Sequence, residues 1–226
     1  MTYAAAVCAA VMGAVMVYRM RWWKDFPESR LFTMTSGAIS VSYILAVPPV
    51  VERLNSISIN ITGSAVALLA SALFGSVSFS AMAAAAFEIL TGTRHLGRYV
   101  GMAWSAAAAV FVGCWIAGDA RRSETLNSFT AQDVPAKVFG ITYAVLMILT
   151  ALATLVATWQ ALQRKDIRPR LRRATGGLFV AAVCMTGLSV SLLLNALVLH
   201  LSAEGAEIIE QIWWLPITIA VAVAAL

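Results

Sequence analysis

This sequence is short of charge. Of its 226 residues, 12% are Asp, Glu, Lys or Arg and 61% are hydrophobic, where soluble domains run to about 25% charged and about 45–50% apolar. So few charges cannot clothe a water-facing surface, and lipid must be the solvent for most of it. Inside a bilayer the backbone satisfies its hydrogen bonds only as helices or as a closed barrel. Barrel strands would alternate polar and apolar residues over about ten positions at a time. The runs here are unbroken and apolar, which reads as helix.

Cysteine is also scarce. Cys8, Cys114 and Cys184 each fall inside an apolar run and form no CxxC or Cys/His pattern, so neither a disulfide framework nor a zinc site is expected. Cys8 and Cys114 would sit toward one membrane face, but free buried thiols are the expectation for all three. No HExxH, GxSxG or P-loop pattern occurs, and no aspartate cluster marks a membrane edge as in lipid-phosphate transferases. The last apolar segment holds no lysine, which retinal proteins require there. An enzyme is therefore disfavoured, and no cofactor and no metal are expected.

What is present is a series of spans. Crossing a bilayer takes about 20 apolar residues, and seven segments meet or approach that length: 2–18, 31–50, 61–90, 99–118, 138–162, 174–201 and 208–226. The chain thus reads as a single domain, an all-α, polytopic integral membrane bundle of about seven transmembrane helices. Between spans, Arg19, Arg21, Lys24, Arg30, Arg94, Arg98, Arg164, Lys165, Arg168, Arg170, Arg172 and Arg173 fall into three alternate loops and account for twelve of the sixteen basic residues. The opposite loops hold Arg53, Arg121, Arg122 and Lys137, and collect Glu52, Asp119, Glu124, Asp133, Glu204, Glu207 and Glu210. Lys and Arg stay cytoplasmic during insertion, so the N-terminus is expected outside and the C-terminus in the cytoplasm; the Ala/Val/Arg-rich composition suggests the plasma membrane. The first span has its charges behind it, at Arg19 and Arg21, opposite to a cleaved signal peptide. The last reaches Leu226 while still apolar, and a cytoplasmic continuation is expected. No internal repeat stands out.

Residues 56–61 alternate Ser or Asn with Ile, which suggests an extended strip along the membrane surface. Asn60-Ile61-Thr62 fits the N-glycosylation pattern. Pro48-Pro49 should end the second span, and Pro216 should kink the last.

Ionisable groups inside spans are functional candidates. Glu88, near the cytoplasmic end of span 61–90, shares a helical face with Ala70, Val77, Ala81 and Ala84. It reads as a proton or cation site, or as an acid that snorkels outward or pairs with Arg94. Cys184, Gly187, Ser191 and Asn195 form a small polar stripe on span 174–201. Thr33, Ser36, Ser40 and Tyr43 form another on span 31–50, and Ser71, Gly75 and Ser78 a third on span 61–90. Such stripes either pack helices closely or line a ligand path, for which Glu88, Asn195, Ser191 and Ser40 are the candidates. His200 and Glu204 are a pH-sensing pair or an interfacial cap. Trp104, Trp115, Trp159, Trp213 and Trp214 read as aromatic belt residues.

The densest basic segment, with Arg164, Lys165, Arg168, Arg170, Arg172 and Arg173, either sets topology or contacts anionic lipid headgroups at roughly 1 kcal/mol per charge. The net charge of +5 does not imply nucleic acid, because the basic residues form no single patch. The sequence names no protein partner or oligomeric state.

Four features stand out along the chain: the basic first loop, Pro48-Pro49, Ala131-Gln132-Asp133-Val134-Pro135 running toward Tyr143, and the arginine-rich segment running into Gly176-Gly177. In these the chain resembles, over most of its length, a family of actinobacterial seven-transmembrane-helix proteins labelled only as transporters. The resemblance implies transport of an unspecified substrate and a cytoplasmic region after the seventh helix, and it assigns no functional residues. The resulting expectation is a non-enzymatic bundle that moves or binds a small molecule between spans 31–50, 61–90 and 174–201. The alternative is a sensor or anchor that signals to a cytoplasmic domain or partner.

Overall fold

The computed structural model describes residues 2–24, 30–91, 94–118, 134–164, 169–195, 197 and 203–225. Among these residues the elements are all helical: α1 (Thr2–Met20), α2 (Arg30–Ile44), α3 (Pro48–Thr62), α4 (Ala67–Thr91), α5 (Arg94–Ala117), α6 (Val134–Leu162), α7 (Pro169–Leu194) and α8 (Ala203–Ala225). Among the described residues, three stretches are long and apolar enough to cross a membrane: Arg98–Ala117, Lys137–Leu162 and Arg172–Leu194. The bent pair α2 and α3 makes a fourth if it is one broken span. Ala4–Met20, Leu69–Ala84 and Ile212–Ala224 are shorter apolar stretches. This is a membrane protein.

Seven of the helices close into a ring. α1 packs on α2 and α8, α2 on α4, α4 on α5 and α6, α5 on α6, α6 on α7, and α7 on α8. α3 stands apart and touches α4. The core holds Met12, Met82, Phe111, Met147, Met185 and Val221, all buried. The outward faces are apolar as well. On α8, Ile212, Leu215, Ile219 and Val223 are exposed while Ile217, Ala220, Val221 and Ala224 are buried. A helix that is hydrophobic all round has no face suited to water.

The helices approach closely where residues are small. A Cβ added to Gly177 on α7 would lie 2.8 Å from both the Ala220 carbonyl oxygen and the Ala224 amide nitrogen on α8. One added to Gly187 would meet the Trp213 ring. With no hydrophobic driving force between helices in lipid, such backbone proximity is what dispersion packing requires.

The segment expected to be extended is instead a helix. Pro48-Pro49 do not merely end the helix before them: α2 stops at Ile44 and the prolines occupy the first positions of α3. Proline cannot donate to the preceding turn, yet its fixed φ suits a helix start. Val47 before it is extended, at φ −75° and ψ 117°, as a residue preceding proline prefers. At the far end Gly63 takes φ 70°, and its N–H bonds the Ile59 carbonyl at 2.8 Å, a left-handed cap for which glycine is suited. Between these stops the Ser/Ile alternation is overridden by helical spacing, with Val51, Asn55 and Ser58 buried. The following helix accordingly begins at Ala67, not near residue 61.

The arginine-rich segment also differs from expectation. Pro169 opens α7, so Arg170, Arg172 and Arg173 belong to its first turns and not to a loop.

Candidate functional site: the buried polar groups of the helix ring

Among the described residues, the buried polar side chains are those of serines, threonines and asparagines. Most hydroxyls turn back on their own helix: Ser36 donates to Phe32 O, Ser76 to Ala72 O, Thr154 to Thr150 O, Thr158 to Thr154 O and Ser189 to Met185 O. That i−4 bond satisfies a hydroxyl without calling on a neighbour. The exceptions define two interior clusters.

The first joins α1, α2 and α8. Ser40 donates to the Ala9 carbonyl at 2.9 Å, and a Cβ added to Gly13 would come within 3.3 Å of its Oγ. Three residues on, the Tyr43 hydroxyl donates to the Trp214 carbonyl at 3.4 Å and accepts from Thr218 at 3.1 Å. The Cys8 thiol is in hydrogen-bonding contact with Thr218. The Tyr43 and Trp214 rings pack with centroids 5.5 Å apart. Trp214 and Thr218 flank Pro216, which lies inside α8 and removes a rung from its ladder.

The second cluster lies between α4, α5 and α6. Phe79, Trp104, Phe111, Phe139 and Tyr143 form a chain of ring contacts, with centroids from 4.8 Å (Phe111–Phe139) to 6.5 Å (Phe139–Tyr143). The Trp104 indole donates to Thr150 Oγ1 at 3.0 Å. Gly75 on α4 leaves the space that the Tyr143 hydroxyl fills. On the same face, Ser71 meets Ser42 of α2, whose Oγ lies 3.3 Å from both the Ser71 carbonyl oxygen and its Oγ. One turn beyond Gly75, Ser78 is 1% exposed, and its Oγ has no hydrogen-bond partner among the described residues.

No protein-family model, curated protein or solved structure matches this chain.

The ligand-path candidates distribute unevenly over the ring. Ser40 serves the α1–α2 contact. Ser191 donates to the Gly187 carbonyl of its own helix at 2.8 Å. Asn195, just beyond α7, is 1% exposed and engaged with a neighbour. α7 packs chiefly on α6 and α8, so the ring does not set it against α2. Glu88 lies on α4, with its side chain outside the described residues.

The polar groups that do face one another pair α2 with α4 and α5 with α6, and join α1, α2 and α8. Thr218, Thr150, Thr154 and Thr158 went unnoticed in the sequence, although the three on α6 share an i, i+4 spacing that marks one helix face. Trp104 is buried in the α4–α5–α6 cluster, not a belt residue, because it faces inward from the middle of α5. Trp115 donates to the Ala65 carbonyl at 2.8 Å, and Trp213 packs on Gly187.

At the basic segment, Arg164, Arg172 and Arg173 are exposed. Lys165 and Arg168 lie outside the described residues, as does the side chain of Arg170. Arg19 stacks 5.3 Å above the Phe32 ring and Arg30 lies 5.6 Å from the Trp23 ring, so both mix apolar contact with charge. His200 lies outside the described residues, as does the side chain of Glu204. Cys8, Cys114 and Cys184 are separate free thiols. No group of three His, Cys, Asp or Glu side chains converges among the described residues.

Proposed function

We propose that this chain crosses the plasma membrane seven times, N-terminus outside and C-terminal end cytoplasmic, and that its helix ring binds or moves a small molecule at the inner face of α4. The closed ring of seven helices and the alternation of basic and acidic loops support the topology. One observation carries the binding reading. Ser78 is buried, and its hydroxyl has no partner among the described residues; it lies one turn along α4 from Gly75, whose open side the Tyr143 hydroxyl fills. Leaving a buried polar group unmade costs about 1–3 kcal/mol, and a group left so in a native interior calls for an explanation. A hydroxyl or amide of a ligand would satisfy it. Phe79 follows Ser78 in the chain, and its ring packs on Trp104 and Tyr143, apolar groups of the kind that usually line a small-molecule site with few polar groups. The fully buried polar side chains among the described residues are uncharged, which favours an uncharged ligand. Glu88 would mark the cytoplasmic end of such a path, and the segment from Arg164 to Arg173 would rest on anionic headgroups. No catalytic step is part of this reading.

Native mass spectrometry of gently purified protein tests it. A stoichiometric non-lipid molecule on the wild type, lost in Ser78→Ala with the fold intact, is the expected result. Equal retention by the variant would remove Ser78 from the site.

The competing class, a sensor or anchor, has one observation in its favour. Tyr43 and Thr218 tie α2 to α8, so a shift of α2 would be carried to the C-terminal helix. A protein of this class would signal without net flux, which a transport assay in vesicles separates from the first reading.

A further inference from the structure

α3 is a three-sided helix. At about 100° per residue, Val51, Asn55 and Ser58 share one side and are buried. Glu52, Arg53, Ser56 and Asn60 lie on the opposite side and are exposed. Between them runs an apolar flank of Val50, Leu54, Ile57 and Ile61, in which Ile57 is 51% and Ile61 77% exposed. A helix in water would not hold an exposed isoleucine edge beside a polar one without something to cover it.

The geometry indicates what covers it. α3 bends away from α2 by 80°, so where α2 crosses the bilayer α3 runs along its plane. It is held at that angle by Asn55, whose Oδ1 accepts from the Ala67 amide at 3.0 Å. This bond fixes the buried side of α3 to the first turn of α4. The polar side is then turned to water and the isoleucine flank to the membrane.

We infer that α3 is an interfacial helix bound to the lipid surface of the outer leaflet, its Val50, Leu54, Ile57 and Ile61 flank seated at the boundary between headgroups and acyl chains. This inference rests on the seven-span topology proposed above. Amphipathic helices of this kind bury their apolar face about 5–10 Å into that boundary. Glu52 and Arg53, the charged residues of α3, cancel, so attachment depends on apolar area and not on anionic lipid. In this it differs from the basic loops on the other membrane face.

Site-directed spin labelling tests the inference. Glu52→Cys, Ser56→Cys, Ile57→Cys and Ile61→Cys are placed singly in the full chain, with Cys8, Cys114 and Cys184 changed to alanine, and reconstituted in phosphatidylcholine vesicles. Collision with oxygen should dominate at 57 and 61 at shallow depth, and collision with a water-soluble nickel chelate at 52 and 56. Replacing part of the lipid by phosphatidylglycerol should leave this pattern unchanged.

Nickel access at all four positions would overturn the proposal. So would shielding of 57 and 61 from both reagents, which means a protein covers the flank, or a depth near the midplane, which means α3 completes a broken span. A change in the pattern with phosphatidylglycerol would overturn the charge-independent attachment. Leu149→Cys, on the exposed face of α6, serves as the control. It should read deep and oxygen-dominated whatever α3 does, and nickel access there would sink the spanning topology itself.

Discussion

Thr218 on α8 donates a hydrogen bond to the Tyr43 hydroxyl on α2 at 3.1 Å, joining residues 175 positions apart. The same hydroxyl donates onward to the Trp214 carbonyl, so one phenol bridges two turns of α8 on either side of Pro216. Hydrogen bonds between membrane helices average about 0.6 kcal/mol by double-mutant cycles. Tyr43→Phe and Thr218→Val should therefore each destabilise modestly, with a coupling of about that size in the double variant. Thermal unfolding in detergent measures it. Purely additive effects would show that the contact does not join the helices energetically.

Adjacent glycines on α7 should respond in opposite directions. A Cβ at Gly176 meets nothing within 4 Å, whereas one at Gly177 meets α8 backbone at 2.8 Å. Gly176→Ala should be neutral or stabilising by up to about 1 kcal/mol through helix propensity. Gly177→Ala forces α7 and α8 apart and should cost about 1–3 kcal/mol, as overpacking does. Comparable unfolding temperatures for the two would contradict the close approach.

Asn55 serves as a cap supplied from another helix. Its Oδ1 accepts from the Ala67 amide at 3.0 Å, taking the place of a local N-cap for α4. Asn55→Ala should lower stability by about 1 kcal/mol, the usual loss for a cap, and should raise amide exchange at the start of α4 ahead of the rest of the bundle. Uniform exchange along α4 would argue against this role.

On the basic side, Arg172 and Arg173 are exposed. Arg172→Ala with Arg173→Ala should weaken association with anionic vesicles by roughly 1 kcal/mol per charge removed, with the difference fading at high salt. Lipid retention measured by mass spectrometry on the purified variant is the readout. Unchanged retention would leave these arginines a topological role alone.

Ser78 and Ser40 show why stripes of small residues could not be interpreted from spacing. Both sit on a polar face of an apolar helix, and both are buried. Ser40 finds the Ala9 carbonyl of the neighbouring helix, while Ser78 finds no partner among the described residues. The spacing that puts a serine on an inward face says nothing of which carbonyl the next helix brings opposite. The polar stripe on α7 was legible for the same reason that its use was not. Gly187 and Ser191 are on one face, but the ring places that helix against α6 and α8, and Gly187 receives the Trp213 ring.

The sequence by itself determined that the protein is helical and lipid-solvated, where most helices run, and where the basic residues cluster. Those properties depend on the solvent each segment prefers and on local backbone rules, both carried by neighbouring residues. Even the two ends of α3 were encoded locally in Pro48-Pro49 and Gly63, though proline as a helix start looks the same in sequence as proline as a helix end. Only the tertiary structure decided which helices became neighbours, that Tyr43 meets Thr218, that Tyr143 fills the space beside Gly75, and that Asn55 caps a helix other than its own. Those pairings join residues far apart in the chain, and contacts of that kind depend on how whole helix surfaces fit, a property that no single stretch of sequence contains.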